Sequence, residues 1–164
     1  MAEKLAVVPQ PQEVKTGVRD PEIVAQALSK ALADTYRLVF KTHAFHWNVE
    51  GPLFYGVHNL TEEQYENLFQ AADDMAERIR ALGALAPMTL RQIIADSVIE
   101  DADKPLNARE MVESLAKDHE RAAHRLHALI ELAEGRNDMV TGDLATERSA
   151  FHEKAAWMLR AIAA

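Results

Sequence analysis

Residues 55–82 read YGVHNLTEEQYENLFQAADDMAERIRAL, and the predicted fold rests mainly on this segment. Alanine, leucine, glutamate and arginine are frequent in it, and all four are good helix formers. It contains no proline, and Gly83 followed by Pro87 provides the signals that end a helix. We therefore predict one long helix from about Tyr55 to Leu82.

Another long helix is predicted before this stretch. Asp20 is a suitable N-cap, and Pro21 fits the first turn of a helix. Apolar residues then recur at three- and four-residue spacing until about Val49, and Gly51-Pro52 ends the helix. Residues 1–19 show no helical period and are expected to form a flexible N-terminal tail.

The chain after Gly83 predicts a long connection and two further helices. About 20 residues follow without a long helical pattern, and a connection of that length is typical of one that crosses a helical bundle. A short helix is expected within it over Leu90–Ala95, capped by Thr89. The last two helices are predicted at 107–135, where Asn107 and Glu110 have capping-box spacing, and at 140–163. The predicted fold class is an all-α, ferritin-like four-helix bundle over residues 20–164, with the short helix on its long crossover.

Composition limits the classes of protein that the chain can belong to. Its 164 residues suit one domain, and the absence of cysteine excludes disulfides and thiolate metal sites. No apolar run approaches the length of a membrane span, and Met1–Leu5 lacks the pattern of a signal peptide. We therefore expect a cytoplasmic protein. The net charge of −8 favours cations as partners and disfavours nucleic acid.

Four potential metal ligands share one face of the helix at residues 55–82: His58, Glu62, Asp73 and Glu77. At 100° per residue they fall within an arc of about 100°. Glu62 and Asp73 are nevertheless about 16 Å apart along the helix axis, since each residue adds about 1.5 Å. Bonds from divalent metals to protein ligands are only about 2 Å long. A single metal ion therefore cannot join both halves of the set within one chain.

The two halves of this set are placed symmetrically about the midpoint of the helix, between Asn67 and Leu68. Two copies packed antiparallel about a two-fold axis at this point would place the histidine half of one copy against the carboxylate half of the other. His46, near the end of the preceding helix, could add a second imidazole. Two histidines and three carboxylates suit Fe(II), Mn(II) or Zn(II). An ordinary solvated helix face is the alternative that the spacing leaves open.

A set of ordered motifs in the first half of the chain indicates a family. The motifs are His46-Trp47-Asn48, Gly51-Pro52-Leu53-Phe54, His58 with Glu62, and Asp73-Asp74-Met75-Ala76-Glu77-Arg78. Together they resemble the signature of the Dps family, the DNA-binding proteins of starved cells, also called mini-ferritins. The resemblance covers nearly all of residues 20–164. It implies ferritin-like subunits in a hollow dodecamer, with ferroxidase centres at the dimer interface.

The resemblance also implies an activity. Fe(II) would be oxidised at these centres, by hydrogen peroxide in preference to dioxygen. Ferric mineral would be stored inside the shell, which protects against oxidative damage. Carried over by position, the iron ligands are His46, His58 and Glu62 of one subunit and Asp73 and Glu77 of the other. Many family members have Asp where this chain has Glu62, so the geometry of that ligand is expected to differ.

Two residues beside His46 are expected near this site. Trp47 is adjacent to it, and the resemblance implies that Trp47 quenches stray oxidants. Packing at the end of the helix is the alternative role for this indole. His43 lies one turn before His46 and could orient a metal ligand.

A second acidic set, Asp138, Asp143 and Glu147, resembles the carboxylates that line the three-fold pores of the family. Three copies of each around a narrow channel would form a negative funnel for cations. The alternative is that these are N-terminal helix acids that match the helix dipole. The remaining histidines lie on charged helices and are expected to be solvated: His119, His124, His127 and His152. A surface metal site at His124 and His127 is the alternative.

Three other functions were compared with iron oxidation. A di-iron site within one bundle would need Glu-x-x-His motifs, and no glutamate here has a histidine three residues later. A purely structural helical dimer would bury apolar residues, and not five potential ligands, along its two-fold axis. The remaining alternative is a DNA-coating, nucleoid-associated stress protein with secondary iron binding.

DNA binding is expected to be weak or absent. Proteins that coat DNA often use basic tails for phosphate contacts. The bases of this tail are balanced by nearby acids, and Ile162-Ala163-Ala164 adds no basic residue. The basic residues are Lys4, Lys15 and Arg19, and the acidic residues that balance their charge are Glu3, Glu13 and Asp20.

Overall fold

A computed structural model describes residues 6–164, which form five helices and no strand. The helices are α1 (Pro21–Asn48), α2 (Phe54–Ala81), α3 (Leu90–Asp96), α4 (Ala108–Gly135) and α5 (Met139–Ala163). The predicted all-α bundle with a short helix on its crossover is confirmed, and each helix ends close to its predicted bounds. Glu3 and Lys4 of the predicted tail lie outside the described residues. No helix of residues 6–164 is both long and apolar enough to cross a membrane.

Local sequence signals explain two of the helix starts and fail for a third. The Asn107 side chain accepts from Glu110 N, and the Glu110 carboxylate accepts from Asn107 N, so the predicted capping box is present. Thr89 caps α3 as expected. Asp20 occupies the predicted N-cap position of α1, but its backbone is left-handed with φ 47° and its side chain makes no capping hydrogen bond. Its carboxylate pairs instead with Arg136, in the turn between α4 and α5.

The bundle is built from two antiparallel helix pairs, α1 with α2 and α4 with α5, and α3 packs against α1. Two apolar clusters hold the pairs together. One contains Leu28, Met75 and Leu126, and the other contains Leu68 and Leu115. Burial of one such side chain stabilises the fold by about 1.5–3 kcal/mol. Because these clusters bury one face of α2, they also determine which face of α2 lies outside the core.

Residues 6–19 contain no helix, but parts of this segment are bonded to the bundle. Gln12 N donates to Gly83 O at 3.1 Å, and Arg19 N donates to Arg136 O at 2.9 Å. Gly83 has φ +91°, and a Cβ there would lie 2.8 Å from Gln12 O. This close approach requires glycine at the end of α2.

The expectation that His119 and His152 are solvated is wrong, since both lie in the core at 0% and 1% exposure. Their Nδ1 atoms are 2.8 Å apart and form a hydrogen bond between α4 and α5. Burial, and secondarily the charge of Arg148, lowers the pKa of His119 to about 3. His119 follows Leu115 by four residues, so its position on the apolar face of α4 was readable from the sequence. His124 and His127 are exposed, as expected.

Candidate metal centre

His46 and His58 hold each other in place where the end of α1 meets the start of α2. His46 Nδ1 donates to His58 O at 2.8 Å, and His58 Nδ1 donates to His46 O at 3.0 Å. The rings stack with centroids 3.8 Å apart and an interplanar angle of 18°. Thr61 supports the pair, because its hydroxyl contacts both His46 Nδ1 and His58 O.

These hydrogen bonds fix which nitrogen of each neutral ring is available to a metal. A carbonyl oxygen can only accept, so the proton of each ring must lie on Nδ1. The Nε2 atoms then carry free lone pairs, and no residue of 6–164 is hydrogen-bonded to them. Metal-binding histidines commonly use such a bond to set the orientation of the ring. His46 is 7% exposed and His58 is half-buried, so the pair is rigid but not sealed from the surface.

The three candidate carboxylates lie on the same helix as His58 and are exposed. Glu62 is one turn from His58, and Asp73 and Glu77 lie in the other half of α2. None of the three makes a hydrogen bond or ion pair with another side chain of residues 6–164. Such unpaired carboxylates attract cations.

Within one chain these residues form two separate half-sites. No group of three His, Asp or Glu side chains in the described part of the chain is close enough to hold a metal ion. The predicted ligand set can therefore meet at one ion only if Asp73 and Glu77 come from another copy.

An aromatic stack adjoins the histidine pair on α1 and α2. The His43 ring lies 3.9 Å from the Trp47 ring and 4.2 Å from the Tyr65 ring, centroid to centroid. Tyr65 in turn contacts the edge of His46 at 5.3 Å. The two carbonyl bonds orient His46 and His58, and the role of His43 in orienting a ligand stays a prediction. The His43 ring connects Trp47, which is 58% exposed, to the buried side of the site.

Sequence reasoning did not identify Tyr65 as part of this site. Its position was available from spacing, since Tyr65 follows His58 by seven residues and therefore lies on the same helix face. Desolvation raises the pKa of the Tyr65 phenol, and the charges of Glu62 and Glu66 act in the same direction. The phenol therefore stays protonated beside the acidic face of α2.

The acidic set near the start of α5 is divided by the structure. Asp138 is 1% exposed and serves as the N-cap of α5, accepting from Thr141 N at 2.9 Å. It also forms a 2.6 Å ion pair with Arg78 of α2. Asp138 therefore acts as an acid at the N-terminus of a helix, which was the alternative to its role in a pore. Asp143 and Glu147 are exposed on one face of α5, so only these two carboxylates are free to meet a cation.

Comparisons with known proteins agree with this architecture. Residues 25–164 match the family model described as the Ferritin-like domain. The chain is 38% identical over 138 residues to the DNA protection during starvation protein 2 of Bacillus anthracis, which covers 84% of this chain and 94% of the relative. The crystal structure of Dps from Staphylococcus aureus superposes with a TM-score of 0.85 at 31% identity, covering 90% of this chain and 98% of that one.

Dps from Vibrio cholerae O1 is described as a member of a broad superfamily of ferritin-like diiron-carboxylate proteins. It superposes with a TM-score of 0.84 at 26% identity and covers 93% of this chain and 98% of that chain.

Proposed function

Because this chain belongs to the ferritin-like Dps family, we propose that it oxidises Fe(II) at centres shared by two subunits and stores the ferric product. The observation that carries the proposal is the reciprocal bonding of His46 and His58. It leaves two free Nε2 atoms, and the exposed carboxylate of Glu62 lies one helical turn from His58 on α2. A rigid pair of imidazoles with nearby carboxylates suits a first-row divalent metal.

Completion of the site would come from a second copy of α2. Its Asp73 and Glu77 would face the histidine pair across a two-fold axis near Asn67. Two neutral imidazoles with three carboxylates carry a net charge of −3. Such a set favours Fe(III) over Fe(II), since the attraction grows with the charge of the ion.

The surface around Asp73 supports docking of another copy. A groove of about 540 Å³ lies between α1, α2 and α3, and Asp73 is on its wall. Exposed apolar side chains line it, among them Tyr36, Phe69, Met88 and Leu90. An exposed apolar patch next to unpaired carboxylates is typical of a subunit interface. Assembly of such dimers into a hollow dodecamer is the further proposal that the family suggests.

The oxidant is proposed to be hydrogen peroxide. One peroxide accepts two electrons, one from each of two Fe(II) ions, and its O–O bond breaks to give two hydroxide ions. Dioxygen is the competing oxidant. The protein's part in either case is to hold Fe(II) where its electrons go to the oxidant without releasing radicals, and Trp47 beside His43 would intercept those that escape.

Iron entry is proposed to use the exposed acids of α5. Three copies of Asp143 and Glu147 around a three-fold axis would attract Fe(II) to a channel. Asp138 would not bind the cation itself, because its carboxylate already forms an ion pair with Arg78. It would instead support the channel by joining the start of α5 to α2 through this pair.

The proposed activity can be tested by adding Fe(II) anaerobically and then hydrogen peroxide while ferric absorbance is followed. His46→Ala and Asp73→Ala should each slow the reaction at least about tenfold, because each removes a metal ligand. The controls are His127→Ala and Glu63→Ala, which remove an exposed imidazole and an exposed carboxylate outside the set. Equal rates in all four variants would contradict the proposal.

A further inference from the structure

A layer of buried polar side chains crosses the interior of the bundle, and all four long helices contribute to it. Thr42, Gln64, His119 and Arg148 are 0%, 3%, 0% and 5% exposed. Each carries at least one polar atom that is shielded from solvent and lacks a hydrogen-bond partner among the described residues. Buried polar atoms are nearly always paired in folded proteins. These atoms therefore require partners that the described chain does not supply.

Contacts between the helices place three of these residues at one level. Arg148 Nη1 donates to Asn67 Oδ1 at 2.8 Å, and Gln64 lies one helical turn from Asn67. Because α5 runs antiparallel to α2, His152, one turn after Arg148, lies on the same side of this contact as Gln64. The His152 Nδ1 is 2.8 Å from His119 Nδ1. Gln64, Arg148 and His119 thus surround one part of the interior.

Thr42 reaches the same level from α1. Its neighbour Lys41 bonds through Nζ to Asp118 Oδ2 at 2.5 Å, and Asp118 directly precedes His119. The Thr42 hydroxyl, which is unpaired, therefore lies at the height of the histidine pair.

The charge of this layer comes from Arg148. Its Nη1 is used by Asn67, and its guanidinium carbon lies 4.3 Å from the centre of the Phe151 ring. Its Nε and Nη2 are both unpaired and enclosed. These two nitrogens form one edge of the guanidinium, the edge that donates two parallel hydrogen bonds to an anion.

No carboxylate of the described residues contacts this guanidinium. Among residues 6–164 no ion pair includes Arg148, and Glu147 and Asp74 act on it only through space. Both are exposed on the bundle surface. A buried charge without a contacting counter-charge is costly, and a neutral water molecule would leave it uncompensated. A second subunit cannot reach these nitrogens, because they have no access from the surface.

We propose that this layer is an internal binding site for a small inorganic monoanion, held on the Nε–Nη2 edge of Arg148. The amide nitrogen of Gln64 and the hydroxyl of Thr42 supply further donors. A cation is excluded by the guanidinium. The neutral imidazoles of His119 and His152 close the site from α4 and α5 without adding charge. The site is separate from the iron ligands and does not depend on the proposed ferroxidase activity.

Bromide is the direct probe, because it scatters anomalously and resembles chloride in size. Crystals of the wild-type protein grown in sodium bromide should show an anomalous peak within hydrogen-bonding distance of Arg148 Nε and Nη2. A difference map with water alone at this place, and no anomalous signal, would overturn the proposal. This measurement does not depend on the stability of any variant.

A second measurement uses the linkage between binding and stability. A ligand that binds only the folded protein raises its unfolding temperature. The wild type should unfold a few degrees higher in sodium chloride than in sodium gluconate at equal sodium, because gluconate is too large to enter. Arg148→Gln should lose this difference, whereas the control Arg160→Gln, at an exposed arginine of the same helix, should keep it. The same chloride effect in both variants would refute the site.

Discussion

His46 and His58 each donate an Nδ1 proton to the other's backbone carbonyl, at 2.8 and 3.0 Å. Two residues twelve positions apart are thus fixed as one unit across the turn between α1 and α2. The unit presents both Nε2 atoms without needing a metal to organise it. Preorganisation of this kind lowers the cost of binding an ion.

Replacement of His58 by phenylalanine separates the chemical role of this ring from its packing role. His58→Phe retains an aromatic ring that can stack on His46 but removes the free Nε2. We expect iron oxidation to fall at least about tenfold while the unfolding free energy changes by only about 1 kcal/mol, the value of one hydrogen bond. Initial ferric absorbance and urea unfolding measure the two effects. His127→Phe is the control, and equal loss of activity there would contradict the assignment.

Acid should destabilise the protein through the His119–His152 pair. Burial lowers the pKa of His119 to about 3 and that of His152 well below its usual value. Below pH 6.5 the unfolded chain therefore binds protons that the folded chain does not. The stability present above pH 6.5 is lost as the pH falls, by about 1.4 kcal/mol per pH unit for each histidine that stays neutral.

Urea unfolding at pH 7.0 and pH 5.5 measures this dependence. The double variant His119→Gln/His152→Gln should lose most of the difference between the two pH values. His124→Gln/His127→Gln should keep it, since those histidines are exposed. A wild-type stability that does not change over this range would show that the buried pair is not the acid-sensitive element.

The Asp138–Arg78 ion pair predicts a difference between two neighbouring acids. Asp138→Ala removes the cap of α5 and leaves Arg78, whose side chain is only 13% exposed, without its partner. Loss of one partner of a buried pair costs about 3–5 kcal/mol. Asp143→Ala, at an exposed position, should change stability by less than about 0.5 kcal/mol. If the unfolding curves of the two variants coincide, the structural role of Asp138 is refuted.

DNA should bind weakly. The net charge of −8 per chain opposes phosphate contacts, which supply most of the affinity of non-specific binding. Gel shifts with a short duplex at about 150 mM salt should show no complex at micromolar protein. A parallel series of gel shifts with Mg²⁺ tests whether this ion bridges acidic groups of the protein and phosphates of the DNA. A shift that survives this salt concentration without divalent ions would contradict the prediction.

The sequence alone predicted those features that depend on local signals and spacing. Gly83 and Pro87 predict the end of α2, and the symmetric spacing on α2 predicted a site that one chain cannot complete. Contacts between distant segments were not predictable in the same way. Asp20 meets Arg136 only after the chain has folded, and the burial of Asp138 depends on Arg78 from another helix. The prediction that His119 is solvated is wrong because its four-residue spacing from Leu115 places it on the buried face of α4 despite the charged residues near it in sequence.

The central claim, that each iron centre is shared by two subunits, is tested most directly by complementation. His46→Ala and Asp73→Ala subunits are purified separately, dissociated, mixed in equal amounts and reassembled, and Fe(II) oxidation is then measured. In a mixed dimer one of the two centres has intact residues from both chains, so random pairing should restore about a quarter of the wild-type centres. Recovery of this size is the predicted result. If the mixture is no more active than either variant alone, although mixed dimers have formed, the shared centre is contradicted.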